Sequence, residues 1–202
     1  MTKKDIKTFF KAITESDFYK VLELLNFDKE YLTICNVAPP KNDDGQSGLQ
    51  VAFKTGNFNI AALLIEQGAD INFIETSEIN EWTAPVLHDS IRATIFNTYM
   101  VQKDISKFDK AFSLLQIMLD KKSNPNSTDS YGNNCLHRAI MDSRQMIENP
   151  SADLTNGVLL QQLKKVFKAL ISAGADTNLA SEKRPSAEDL IINFRLKQHQ
   201  LW

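Results

Sequence analysis

A chain of 202 residues with 43% hydrophobic side chains and a net charge of −2 is long and apolar enough for one domain or a short array of repeats. So small a net charge selects neither nucleic acid nor an anionic membrane, and the few glycines and prolines exclude an extended disordered composition. Two cysteines, Cys35 and Cys135, stand outside any CxxC or Cys/His metal spacing, which excludes a disulfide framework and fits a reducing cytosol.

The first elements are a helix pair over residues 5–25. Ile6, Phe9, Phe10 and Ile13 form one apolar stripe and Phe18, Val21, Leu22 and Leu25 the next, with Glu15-Ser16-Asp17 between them. The N-terminus has no apolar core of a secretory signal, and no apolar run is long enough to span a membrane. Residues 26–44 read as an irregular connection, with Pro39-Pro40 and Asn42-Asp43-Asp44 as turn signals. Residues 45–72 predict a compact unit. A short helix runs through Val51, Ala52 and Phe53, Gly56-Asn57 breaks it, and a second helix carries Ile60, Ala61, Leu63, Leu64 and Ile65. Gly68 suits the left-handed position just past that helix, where a Cβ is penalised.

The ending Gly68-Ala69-Asp70-Ile71-Asn72 returns as Gly174-Ala175-Asp176-Thr177-Asn178, and a worn version ends at Asn126. Repetition of a unit too small to bury both sides of its helix pair predicts a stack of such pairs. Residues 73–83 read as a lengthened turn ending in Glu81-Trp82-Thr83, with a helix beginning near Pro85. The interiors of the two later units are roughly twice as long as that of residues 45–72. Ile91, Ile95, Tyr99 and Val101 extend one helix, and Ile105, Phe108, Phe112, Leu115, Met118 and Leu119 form its mate. Ile140, Met146 and Ile147 carry the next helix as far as Asn149-Pro150, followed by a long helix through Val158, Leu163, Phe167 and Leu170. The last helix is expected over 187–198, with Trp202 either folding back on it or standing out as an anchor.

These endings and their spaced openings resemble the ankyrin-repeat family. The resemblance covers most of the chain and implies an all-α solenoid of stacked helix pairs with short β-hairpin turns, two of its repeats having elongated helices. The units would be a degenerate N-terminal repeat over 1–43, a repeat over 44–75, enlarged repeats over 76–127 and 128–180, and a C-terminal cap over 181–202. Ser47-Gly48-Leu49-Gln50 then occupies the family's Thr-Pro-Leu-His opening, as do Asn134-Cys135-Leu136-His137 and the cap's Arg184-Pro185-Ser186 region. In the third opening Ala84 takes the threonine place and Val86 is an extra residue. His88 and His137 are implied to hydrogen-bond backbone in the adjoining turn.

No catalytic or metal constellation is legible: there is no HExxH, Walker A loop or GxGxxG. Ser90, His88 and Asp89 are near neighbours at one helix start, and Cys135 and His137 are two apart, so neither set can form a relay. Asp43-Asp44-Gly45 lacks the calcium-loop pattern. Lys121-Lys122 and Lys164-Lys165 read as solvated faces. The expectation is therefore a non-catalytic module that needs no cofactor or metal, is monomeric when free, and binds another protein rather than nucleic acid or a membrane.

The resemblance implies that a partner docks on hairpin tips and on exposed positions of the first helices. The tips carry over to Asp43, Asp44 and Gln46; to Asn80, Glu81, Trp82 and Thr83; and to Ser130, Tyr131 and Asn133. The helix positions are Lys54, Arg92, Met141 and Asp142. A rival surface is a ridge built by the longer helices, sampled by Lys103, Lys107, Asn149 and Asp153. One alternative is a bacterial immunity or inhibitor protein that neutralises a toxin or enzyme by binding it; the other is an enzyme whose site is unrecognised.

Overall fold

The computed structural model describes residues 1–37, 43–77, 79–99 and 104–202. Pro39, Pro40, Asn42, Val101 and Lys103 lie outside the described residues. Among those described there are nine α-helices and no named strand: α1 (Lys3–Thr14), α2 (Phe18–Phe27), α3 (Gly48–Lys54), α4 (Phe58–Glu66), α5 (Val86–Phe96), α6 (Ile105–Asp120), α7 (Cys135–Ile147), α8 (Val158–Ser172) and α9 (Ala187–Asn193). Short 3₁₀ turns follow α2 at Lys29–Leu32 and α9 at Lys197–His199. The loops carry isolated antiparallel bridges, Cys35 with Ser47, Ile74 with Pro85 and Ser181 with Arg184. No helix among the described residues is long and apolar enough to cross a membrane.

The chain divides into two compact units, Met1–Asp89 and Ser90–Trp202, the division falling within α5. In the first unit, α1 to α4 enclose Phe9, Ile13, Val21, Leu25, Leu49, Phe53, Ile60 and Leu64, all essentially without exposed surface. Phe9 leans on Tyr31 with ring centroids 5.0 Å apart. Gly48, the first residue of α3, sits where space is tight: a Cβ on it would meet Phe9 Cε1 at 3.0 Å and Ile13 Cδ1 at 3.2 Å. In the second unit, Phe108, Leu115 and Met118 of α6 join Leu136 and Ile140 of α7 and Leu163, Val166, Phe167 and Leu170 of α8 in one core. The longer helices of this unit thus bury apolar residues along their added turns.

Several helix ends share one scheme. In the ending of α4, Gly68 has φ +95°, its N–H reaches Ile65 O at 3.2 Å, and Ala69 N–H reaches Leu64 O at 2.9 Å. Gly174 (φ +96°) ends α8 with the same pair of bonds, to Ile171 O at 2.9 Å and Leu170 O at 3.0 Å. The left-handed residue directs two N–H groups back onto carbonyls that the helix leaves open. The same arrangement ends α6 with Lys122 at φ +69° and α9 with Arg195 at φ +57°, without glycine.

Three expectations are corrected by these elements. The first of the extended helices stops at Phe96; Tyr99 lies beyond it, where its N–H donates to Oε1 of the buried Gln162 at 2.6 Å. The last helix ends at Asn193, five residues early, because Arg195 turns left-handed and buries Leu196 instead of continuing. Val86 is no extra residue. It opens α5 directly after Pro85, so Pro85-Val86-Leu87-His88 stands in register with Ser47-Gly48-Leu49-Gln50 and Asn134-Cys135-Leu136-His137. Trp202 folds back: its ring centroid lies 5.1 Å from that of Phe167 and its Nε1–H donates to Glu188 at 3.0 Å.

Candidate functional site

The openings of α3 and α7 show how the loops are held to the helices. Ser47 caps α3 by accepting from Gln50 N–H at 3.3 Å, and Gln50 Oε1 accepts from Ser47 N–H at 3.1 Å. The other end of the Gln50 amide, Nε2, donates to Ala84 O at 3.3 Å, the carbonyl just before Pro85. His137 does the same work in the second unit. Its Nδ1 accepts from Asn134 N–H at 3.2 Å, and its Nε2 meets Pro185 O, just before Ser186, at 2.6 Å. Nδ1 also lies 2.7 Å from Asn134 Oδ1, so both ring nitrogens are engaged. One side chain therefore caps its own helix and pins the entry of a later one.

In the first unit the loop before α3 and the loop before α5 lie against each other. Asn36 and Gln46 are joined by a backbone bond of 2.8 Å, and Thr76 N–H donates to Gly45 O at 3.2 Å. Ser77 Oγ donates to Asp44 at 2.8 Å and accepts from Asn80 N–H at 2.8 Å. Asp43 pairs with Lys54. Glu81 is exposed, and Asn80, Trp82 and Thr83 are half-buried. Gln46 is not a surface residue as expected: it is buried, and its Nε2 donates to the buried Glu75 at 2.9 Å. Burial holds the Glu75 carboxyl above the usual carboxylate range despite that bond.

In the second unit the loop before α7 is organised by the buried Asp129. Its carboxylate accepts from the N–H groups of Tyr131 and Asn133, at 3.0 and 2.9 Å, and from Asn133 Nδ2. Asn133, expected at the surface, is therefore buried as the strut of its own turn. The turn pushes Ser130 and Tyr131 outward, with Tyr131 46% exposed. Lys183 from the loop before α9 donates to Ser130 O at 3.2 Å.

Asp142 is the third expected surface residue that is buried, and it has no exposed surface at all. It faces inward from α7 and accepts a two-pronged bond from Arg138, one turn earlier, with Nε to Oδ2 at 3.0 Å. Burial raises its carboxyl above the ordinary range, against the opposing pull of Arg138 and Arg92. Arg92 is exposed, with its guanidinium 5.3 Å from the Phe96 ring, and Met141 is half-buried.

The thiol–imidazole pair of α7 is not a reactive unit. Complete burial drives the Cys135 thiol far above its ordinary range, away from the thiolate a nucleophile needs. Burial depresses His137, and both its nitrogens are engaged in the bonds above. His88, at the matching place in α5, is buried.

Between α6 and α8 runs an open groove of about 570 Å³ that the sequence reading passes over. Phe112, Leu119 and Ala169 line it together with Lys122, Lys165 and Lys168. Lys165 and Lys168 are three apart in α8 and therefore share a helix face, a spacing visible in the sequence. Their assembly with α6 is not. Comparison with known proteins leaves this geometry to speak for itself: no family model matches the chain, and no curated protein matches it.

Proposed function

We propose that this chain is a non-catalytic protein-interaction module of ankyrin-repeat type, taking its partner on exposed loop tips and neighbouring helix positions. The observation that carries the reading is the repeated junction. Gln50 and His137 occupy the same third position of their helices and each ties its own cap to the carbonyl preceding a later cap. Such a junction makes each loop a rigid extension of the helices, and rigid tips present side chains at low entropic cost of binding. The residues so presented are Glu81 and Trp82 in the first unit and Ser130 and Tyr131 in the second. Gln46, Asn133 and Asp142 belong to the support and are not docking residues.

Immobilised full-length chain, used to capture partners that are then identified by mass spectrometry, supplies the ligand for titration. Tyr131→Ala and Trp82→Ala are then expected to weaken binding by about 30-fold where the aromatic is a hot spot, with the melting temperature of Tyr131→Ala unchanged. Native affinity in both variants would overturn the loop-tip reading.

A further inference from the structure

The α6–α8 groove combines three features. Apolar Phe112, Leu119, Ala169 and Ala173 line it beside polar Gln116 and Ser172; Lys122, Lys165 and Lys168 stand around them against the single carboxylate of Asp120; and none of these lysines has an ion-pair partner among the described residues. Its walls are the C-terminal halves of the two helices, Phe112 to Asp120 of α6 and Lys165 to Ser172 of α8, each roughly 10–12 Å long at 1.5 Å per residue. We propose that this groove binds an acidic, amphipathic peptide segment of a protein partner, laying apolar side chains on its apolar lining and carboxylates against the lysines. The inference rests on the second unit alone and stands whether or not the loop tips bind.

Charge complementarity selects this occupant. The lining is net positive within a chain whose overall charge is −2, so the attraction is local and suits a short acidic segment. A nucleic-acid duplex carries a charge about every 1.7 Å and would cover acidic surface as well, while its phosphates would gain nothing from the apolar Phe112 and Leu119. A bilayer is matched by protruding apolar side chains, not by a concave groove. The small Ala169 on the α8 side leaves room for a helical segment to approach closely, as in other helix-in-groove contacts.

The test is fluorescence anisotropy with the full chain and a fluorescein-labelled synthetic helix bearing leucines on one face and glutamates on the other. The acidic helix is expected to bind, and versions with lysine for glutamate or serine for leucine are expected to bind at least about tenfold more weakly. Lys165→Glu combined with Lys168→Glu should cost about tenfold in Kd, two exposed attractions being turned into repulsions, with an unchanged helical spectrum and melting temperature. Lys3→Glu combined with Lys7→Glu in α1 changes the net charge equally and should leave Kd as it is. The proposal is overturned by an acidic helix that does not bind, by native affinity in the α8 variant, or by equal loss in the α1 variant. It is also overturned if duplex DNA or phosphatidylserine vesicles bind the groove more tightly than the peptide does, with loss in the α8 variant.

Discussion

Asp142 and His137 sit on the same helix, both buried, and solve the problem of a buried polar group in different ways. Asp142 is charged opposite Arg138, and burial makes that pair dependent on both members. Asp142→Ala strands the largely buried Arg138 guanidinium and is expected to destabilise the fold by about 3 kcal/mol, measured by denaturant titration. The double replacement Asp142→Leu with Arg138→Met removes both charges and should recover most of the loss. His137 is held neutral, its folded pKa depressed below the ordinary 6.5 mainly by burial. An unfolded chain therefore takes up the proton first. The contribution of His137 to stability is complete above pH 6.5 and is lost as pH falls below it toward the folded value. Gln50 makes the corresponding pair of bonds with a group that does not titrate. His137→Gln is accordingly expected to stay within about 1 kcal/mol of the parent at neutral pH and to lose less stability on acidification. Thermal melts across this range measure both, and an unaltered pH slope would remove His137 from the explanation.

At the scale of the element, the left-handed helix endings set the direction of the chain after α4, α6, α8 and α9. A Cβ at Gly68 or Gly174 would meet nothing within 4 Å, so Gly68→Val and Gly174→Val cost only backbone strain, roughly 1–2 kcal/mol each. Lys122 carries that strain already at φ +69°. Lys122→Gly is expected to raise stability by up to about 1 kcal/mol, an increase in denaturation midpoint that a merely loosened helix end would not give. Gly45 differs in kind. It is left-handed, and its Cβ would lie 2.2 Å from Ser77 N, so Gly45→Ala should exceed the cost of either valine variant by forcing the two loops of the first unit apart. An equal or smaller loss would show that this loop contact gives way freely.

For the whole molecule, about half of the described residues are helical and each of the two units has its own core. Gly68 and Gly174 lie in different units, so the stability losses of their valine variants should add within about 0.5 kcal/mol in the double variant. Equilibrium unfolding followed by circular dichroism reads this directly. A double variant that loses much more than the sum would mean that a strained first unit unfolds the second.

Local rules were enough to determine several features from sequence. The 3.6-residue periodicity marked the helices, and glycine's freedom at positive φ marked the ends of α4 and α8, because each depends on residues within one or two turns. The same rules placed the long α6 and α8. Local rules do not decide which polar side chains face inward. Gln46, Asn133 and Asp142 read as surface residues because their types are usually exposed; Asp129 and Arg138 stand only four residues from their partners, but the burial of those pairs, like the bond from Gln46 to the distant Glu75, is decided by the tertiary packing around them. Arg195 gave no sign of a helix end, since a non-glycine residue takes the left-handed turn only when packing, here of Leu196, compensates. The register of Val86 and the lysine-lined groove likewise needed the fold: the first is set by the bond from Gln50 to Ala84, and the second exists only where α6 and α8 meet.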